Sequence, residues 1–344
     1  MVDVDCAICL EPLQSAQTLD CGHRFCGTCV ASYQARGLNN LCPLCRQPLP
    51  PSAEQLCKEI EVFYARLAAQ LERGHADDAS ATRELILSTA REAVRFDPQH
   101  LTAREELGFA MSAMGDDAAA APQYRAAIAA FDPARDNVEH LARVHYNLAG
   151  SLNRTGDAEG GERAARESLR LNETANGHVN LGIALKNSGD LDGAEEQYQA
   201  ALSLEADLGI AHANLGNLKR ARGDKEGAKF HMRRAVALAP DSAVPHFNLA
   251  MLLLRTSESA EPHVRLEELQ EAELEYRESI RCDPDVADCG ARVYNEHGVA
   301  LIRLDRTEEA CAAWRHCLRI EPHGAEAERA RQNLMSLNFN EPNE

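Results

Sequence analysis

The chain has 344 residues, 26% of them charged, and a formal net charge of −18. That length holds two or three domains. The acidic balance excludes a general nucleic-acid binder, which needs Lys and Arg to neutralise phosphates. No run of about 18 apolar residues occurs, so no segment is expected to span a membrane. The opening stretch MVDVDCAICL has no basic region and no long apolar run, so no secretory leader is expected. Five of the 12 cysteines, Cys57, Cys282, Cys289, Cys311 and Cys317, are scattered without framework spacing. They read as reduced thiols in a cytoplasmic or nuclear compartment.

The other seven cysteines lie in residues 1–51 with one histidine. Cys6, Cys9, Cys21, His23, Cys26, Cys29, Cys42 and Cys45 are spaced C-x2-C-x11-C-x-H-x2-C-x2-C-x12-C-x2-C. A C-x2-C turn aims two thiolates at one point, and zinc takes four such ligands in a tetrahedron. Seven thiols and one imidazole therefore suit two ions. Spacing alone leaves open whether neighbouring or alternate pairs share an ion. With every ligand a protein atom, neither ion keeps a position for water, so the metal is structural. About 50 residues cannot build an adequate apolar core without it. Asp3, Asp5, Glu11 and Asp20 nearly balance Arg24, Arg36 and Arg46, so the acidity belongs to the rest of the chain, as a solvated helical surface.

This ligand order resembles the RING finger of the C3HC4 kind, over about one seventh of the chain. The resemblance implies a small α+β cross-brace. In it, Cys6, Cys9, Cys26 and Cys29 hold one zinc, and Cys21, His23, Cys42 and Cys45 the second. It also implies a shallow apolar groove for a ubiquitin-conjugating enzyme (E2), formed here by Ile8, Tyr33, Pro43 and Leu44. Tyr33 stands where Trp is common in the family, a departure that bears on partner choice. Arg46, directly after the last ligand, occupies the place of a basic residue that bridges the E2 and its ubiquitin. A guanidinium suits that place because it donates to two carbonyls at once. Some RING fingers only scaffold. With Ile8, Pro43, Leu44 and Arg46 all present, the resemblance favours a ubiquitin ligase without a covalent ubiquitin intermediate. The alternative is a non-catalytic zinc-binding scaffold for complex assembly.

Residues 47–53, QPLPPSA, form a stiff proline-rich joint in which Ser52 is placed to cap a helix. Leu56, Ile60, Phe63, Leu67 and Leu71 step by three and four, which predicts a helix from Glu54 to about Arg73. A second runs from about Ala81 to Phe96, where Asp97-Pro98 stops it. Residues 52–100 thus read as a linker and a degenerate helix pair.

From residue 101 the chain repeats. A Leu or its equivalent followed by a small residue recurs at Leu107-Gly108, Leu148-Ala149, Leu181-Gly182, Leu215-Gly216, Leu249-Ala250 and His297-Gly298, at intervals of 33 or 34 over the middle four. Gly115, Gly156, Gly189, Gly223 and Asp305 mark turns seven residues after the small position. Tyr124, Tyr198, Met232, Tyr276 and Trp314 share a large-residue slot, and Pro133, Pro240, Pro284 and Pro322 close units. Small residues let two helices approach, large ones fill the gap to the next pair, and Gly supplies positive φ at the turn. The pattern resembles the tetratricopeptide repeat, a helix–turn–helix of about 34 residues. That implies an all-α superhelical solenoid over 101–322. It contains five to six units, with an insertion near 257–266, and is followed by a capping helix and tail over 323–344.

Such arrays present a concave groove lined by the first helix of each unit. At the groove-facing place before each Leu stand Asn147, Asn180, Asn214 and Asn248. A carboxamide there either pairs with an extended peptide backbone or bonds to neighbouring helices. A basic column, Arg154, Lys186, Arg220, Arg255 and Arg303, either lines the groove or compensates helix dipoles. Of a chaperone-binding clamp, Asn217, Asn248 and Arg292 are in place. Ala213 and Glu296 occupy its remaining basic places, so no such clamp is expected. The expected partners are an E2 with ubiquitin and a protein substrate or adaptor bearing an extended acidic or polar peptide. His178, His212 and His246 share one repeat position and are expected to pack or to face the groove. No phosphate-binding loop and no nucleophile elbow occurs in the sequence.

Overall fold

The computed structural model describes residues 5–6, 8–14, 16–19, 22–35, 41–47, 51–73, 76–283 and 290–337. Two compact units divide the chain, Met1–Gly189 and Asp190–Glu344.

The first unit begins with strands β1 (Ala16–Thr18) and β2 (Arg24–Cys26), paired antiparallel with Gln17 opposite Phe25, and helix α1 (Gly27–Ala35). Gly22 turns the hairpin at φ 83°. The core of this module is small: Leu19, Phe25 and Val30 are buried with Cys6, Cys26 and Cys42. Three apolar side chains plus metal-ligating thiols are too little to hold a fold by burial alone.

Helices α2 (Ala53–Glu72) and α3 (Ala76–Phe96) follow as an antiparallel pair. Ser52 caps α2: its hydroxyl accepts from the Gln55 amide at 3.2 Å, and the Gln55 side chain accepts from the Ser52 amide at 2.8 Å. This reciprocal arrangement satisfies two otherwise orphaned donors. Helix α3 starts five residues before the expected Ala81. Ala79 is fully buried, so the seam runs one turn further than the bulky residues reveal. Ile60, Ile86 and Ala90 form a cluster with Leu107 and Ala110 of α4 (Leu101–Ala113), which pairs with α5 (Asp117–Ala129). Helices α6 (Val138–Thr155), α7 (Ala158–Leu171) and α8 (Ala175–Ser188) complete the unit.

The second unit runs through α9 (Leu191–Leu204), α10 (Gly209–Ala221), α11 (Lys225–Leu238), α12 (Ala243–Thr256), a 3-10 turn (Ser257–Ser259), α13 (Pro262–Cys282), α14 (Arg292–Arg303), α15 (Thr307–Ile320) and α16 (Ala325–Ser336).

The alternation of small and large residues has a direct structural cause. A methyl group added to Gly108 meets the Tyr124 ring at 2.8 Å, one on Gly216 meets Met232 at 2.8 Å, and one on Gly298 meets Trp314. The helices of a pair approach too closely there for any side chain. Between the helices the sequence reads Gly-Asp four times. Gly115, Gly156, Gly189 and Gly223 take φ of 81–92°, and Asp116, Asp157, Asp190 and Asp224 each cap the next helix. In the last repeat Asp305 takes φ 60°, and Arg306 follows without a side-chain cap bond.

The expected insertion near 257–266 is part turn and part helix. It lengthens α13 to 21 residues, against 14 in α11. That extension carries Glu268 into the interior. There it accepts from Lys229 Nζ at 2.5 Å and from Thr256 Oγ1 at 2.9 Å. Pro284 and Cys289 lie outside the described residues.

Candidate metal centre and repeat face

Two loops of the first module share one geometry. The Leu10 amide donates to the Cys6 carbonyl at 2.8 Å, and the Arg46 amide to the Cys42 carbonyl at 2.9 Å. The Cys6 amide donates to Glu11 and the Cys42 amide to Gln47. Leu10 and Arg46 both adopt positive φ, 63° and 60°. A left-handed residue other than glycine costs roughly 1–2 kcal/mol. The turn nonetheless lets both sulphurs of a C-x2-C segment face inward, and structural zinc binding, worth roughly 10–16 kcal/mol, outweighs that strain.

The sulphurs of Cys6, Cys9, Cys26 and Cys29 lie within 4.8 Å of one another. Cys9 and Cys26 Sγ are 4.0 Å apart. A tetrahedral zinc with Zn–S bonds of about 2.3 Å has edges of about 3.8 Å, so this set fits the ion. His23, Cys42 and Cys45 form a second group, with His23 Nδ1 3.7 Å from Cys42 Sγ. Cys21, the expected fourth member, lies outside the described residues. The first pair of ligands thus meets the third, and the half-pair His23 meets the fourth. The Gln14 amide donates to Cys26 Sγ and the Cys26 amide to Cys6 Sγ, each at 3.3 Å. Burial first, then the adjacent Cys9 and Cys6 sulphurs, push the Cys29 thiol up to about 12. Four thiolates do not ionise together in such a space without a central cation.

The expected E2 contacts reach the surface of this module. Ile8 and Tyr33 are half-buried against its core, while Pro43, Leu44 and Arg46 are exposed. Leu10, which the sequence reading passed over, is 81% exposed. Its signal was the parallel between Cys-Leu after the first pair and Cys-Arg after the last.

On the repeats, the four asparagines differ. In the first unit Asn147 donates to Glu105 Oε1 at 3.1 Å, and Asn180 to the Tyr146 carbonyl at 3.2 Å. Both tie their helix to the first helix of the preceding pair, α6 to α4 and α8 to α6. In the second unit Asn214 donates to Ile210 of its own helix, and Asn248 lines a polar pocket with Asn217 and Arg292. The basic column also divides. Arg154 is held by Asp117 and Ser112, and Arg303 by the Leu254 carbonyl and Glu258. Arg220 and Arg255 make no ion pair among the described residues. His212 and His246 bring Nε2 to the carbonyls of Ala206 and Pro240 at 3.2 and 2.9 Å, closing the loop before their helices. His178 contacts the Glu173 carboxylate.

Glu105 is a hub that sequence reading missed. It is 3% exposed and accepts from Arg143 through both oxygens at 2.8 Å, with His140 and Asn147 beside it. The only signal was an acid whose neighbours one helical turn away include Leu101, Gly108 and Phe109.

Comparison with known proteins agrees with this geometry. Residues 6–45 match the zinc finger of C3HC4 type (RING finger), and residues 175–208, 210–242 and 291–323 match the tetratricopeptide repeat. Human E3 ubiquitin-protein ligase TRIM65 is 49% identical over 49 residues, 14% of this chain and 9% of that protein. E3 ubiquitin protein ligase RIN2 of Arabidopsis thaliana is 42% identical over 77 residues, 21% of this chain and 13% of that one. The chain therefore spans only about a tenth of the length of these relatives. The structure of human IFIT1 superposes with a TM-score of 0.61 at 16% identity, covering 90% of this chain and 67% of that one, a likeness of fold alone. The protein carries an N-terminal C3HC4 RING finger with a zinc-binding cysteine and histidine set, followed by tetratricopeptide repeats.

Proposed function

We propose that the protein is a RING-type ubiquitin ligase whose repeats recruit the substrate or an adaptor. The observation that carries this reading is the pair of matching metal loops. They hold Ile8 on one side and Pro43, Leu44 and Arg46 on the other, in turns fixed by backbone hydrogen bonds. The relatives quoted over the same stretch bear the name of ubiquitin ligase. Two zinc ions are assigned, one to Cys6, Cys9, Cys26 and Cys29, the other to Cys21, His23, Cys42 and Cys45.

Zinc bound this way supplies rigidity and no open coordination position. Catalysis then rests on positioning. Ile8, Tyr33, Pro43 and Leu44 seat the E2, and Arg46 donates from its planar fork to the E2 and to the ubiquitin it carries. Restricting the thioester-linked ubiquitin to one geometry lowers the entropic part of the barrier for attack by a substrate lysine. No cysteine of this chain takes the ubiquitin.

Single-turnover discharge of a ubiquitin-charged E2 to free lysine tests the role of Arg46. Arg46→Ala is expected to slow discharge at least tenfold while E2 affinity changes less than threefold. Equal discharge rates would remove Arg46 from the mechanism.

A further inference from the structure

The second unit holds a pocket of about 250 Å³ between α10, α12 and α14. Three of its lining residues are arginines: Arg220, Arg255 and Arg292. For a chain of net charge −18, three guanidiniums around one small cavity are a local inversion of charge. Little within the protein neutralises them. Among the described residues, Arg220 and Arg255 have no ion pair. Arg292 has Glu296 at 3.9 Å, beyond hydrogen-bond reach, and its buried Nε has no hydrogen-bond partner. Burial raises the Glu296 carboxyl above the ordinary range although Arg292 and then Arg255 pull it down, and this one acid faces several guanidiniums. The Arg292 guanidinium lies over the Phe247 ring, 5.8 Å from its centroid, which fixes its plane.

The rest of the lining is chemically distinct. Asn217 and Asn248 bring carboxamides that make no hydrogen bond among the described residues. Phe247 and Met251 bring half-buried apolar surface. A single carboxylate engages one guanidinium fork. A phosphate monoester carries nearly two charges and three acceptor oxygens, and so matches several forks at once. All three cations being arginine, none lysine, favours that planar recognition. A long polyanion is disfavoured by the net charge of −18 on the chain as a whole.

We propose that this pocket binds a phosphoserine or phosphothreonine within an extended peptide. Arg220, Arg255 and Arg292 hold the phosphate. Asn217 and Asn248 pair with the peptide backbone, and Phe247 and Met251 take an apolar neighbour. The inference rests on reading the repeats as the recruiting half of the protein, and it makes recruitment depend on prior phosphorylation of the partner.

The test uses the full zinc-loaded chain and degenerate peptide pools with one fixed central residue: phosphoserine, phosphothreonine, serine or glutamate. Fluorescence polarisation of the selected peptides gives Kd. The expected result is selection from a phosphorylated pool with an apolar residue beside the phosphate. Arg220→Gln and Arg255→Gln should each bind at least tenfold more weakly with unchanged thermal melting. Arg255→Lys, which keeps the charge but loses the fork, should recover only part of the affinity. Equal selection from the glutamate pool would overturn the phosphate assignment. Selection of unphosphorylated serine peptides alone would overturn it too, yet leave recruitment by the repeats standing. Selection from no pool would remove both. Arginine-dependent binding of a single-stranded RNA oligonucleotide at equal affinity would overturn the peptide assignment.

Discussion

Gly298 and Trp314 show how much a single residue decides in this molecule. Trp314 donates its indole N–H to the Asn295 carbonyl at 3.1 Å and packs directly on the bare backbone of Gly298. Gly298→Ala forces a methyl group into that ring, and the expected loss is about 1–3 kcal/mol. Trp314 is the only tryptophan, so its fluorescence during urea unfolding reads the effect without a label. Asp305 makes the opposite case. It occupies the left-handed position that glycine holds in four other turns, so Asp305→Gly should stabilise the last hairpin by up to about 1 kcal/mol. Glu106 supplies a pH test. Burial first, then the neighbouring Glu105 charge, push its carboxyl up to about 7 from an ordinary 4.5. A raised carboxyl favours the fold while protonated, so that stability is complete below pH 4.5 and is lost as pH rises through 7. Glu106→Gln should therefore stabilise the protein at pH 8, by an amount on the order of 3 kcal/mol, and hardly at all at pH 4.5. Urea midpoints at the two pH values check the sign.

At the scale of elements, α13 and the metal loops carry the argument. Lys229 and Glu268 are 8% and 5% exposed and bond across α11 and α13. Glu268→Gln leaves a buried ammonium with, among the described residues, only the exposed Glu226 as an acid partner, and the expected loss is about 3–5 kcal/mol. Lys229→Met with Glu268→Leu should recover most of it, since two apolar groups replace the pair. Denaturation of wild type, Lys229→Met, Glu268→Leu and the double variant measures the coupling. The sequence disclosed the elements far better than their ties. The ligand spacing, the turn glycines, the small-to-large alternation and Ser52 as a cap are local signals, readable within one turn or one repeat. Glu105 with His140, Arg143 and Asn147 joins residues 35 to 42 apart, and no local pattern announces such a partner. The same reason explains Asn147 and Asn180. Their place in the repeat was legible, but their use as ties between adjacent helices depends on how closely those helices pack. Helix α3 began early because its first seam residue is an alanine, too small to register in the spacing of bulky groups.

For the whole molecule, the division of labour we propose is a metal-braced module that orients transfer and a helical array that selects what receives it. Chelation separates the two. Removing zinc should abolish E2-dependent activity and unfold the stretch around residues 6–45. Helical circular dichroism should fall only slightly, because α1 has nine residues while α2 to α16 carry the bulk of the signal. Loss of most of the helical signal on chelation would instead tie the array to the metal. The most direct test of the central claim is self-ubiquitination of the full chain with a panel of ubiquitin-conjugating enzymes. Wild type, Ile8→Ala and Arg46→Ala are run together, with zinc content measured on the same samples. The account predicts ubiquitin chains from wild type with at least one enzyme, none from Ile8→Ala, and at least a tenfold reduction with Arg46→Ala, all with two zinc ions per chain. Wild-type silence across the panel, in protein holding both ions, would contradict it and leave a zinc-braced scaffold.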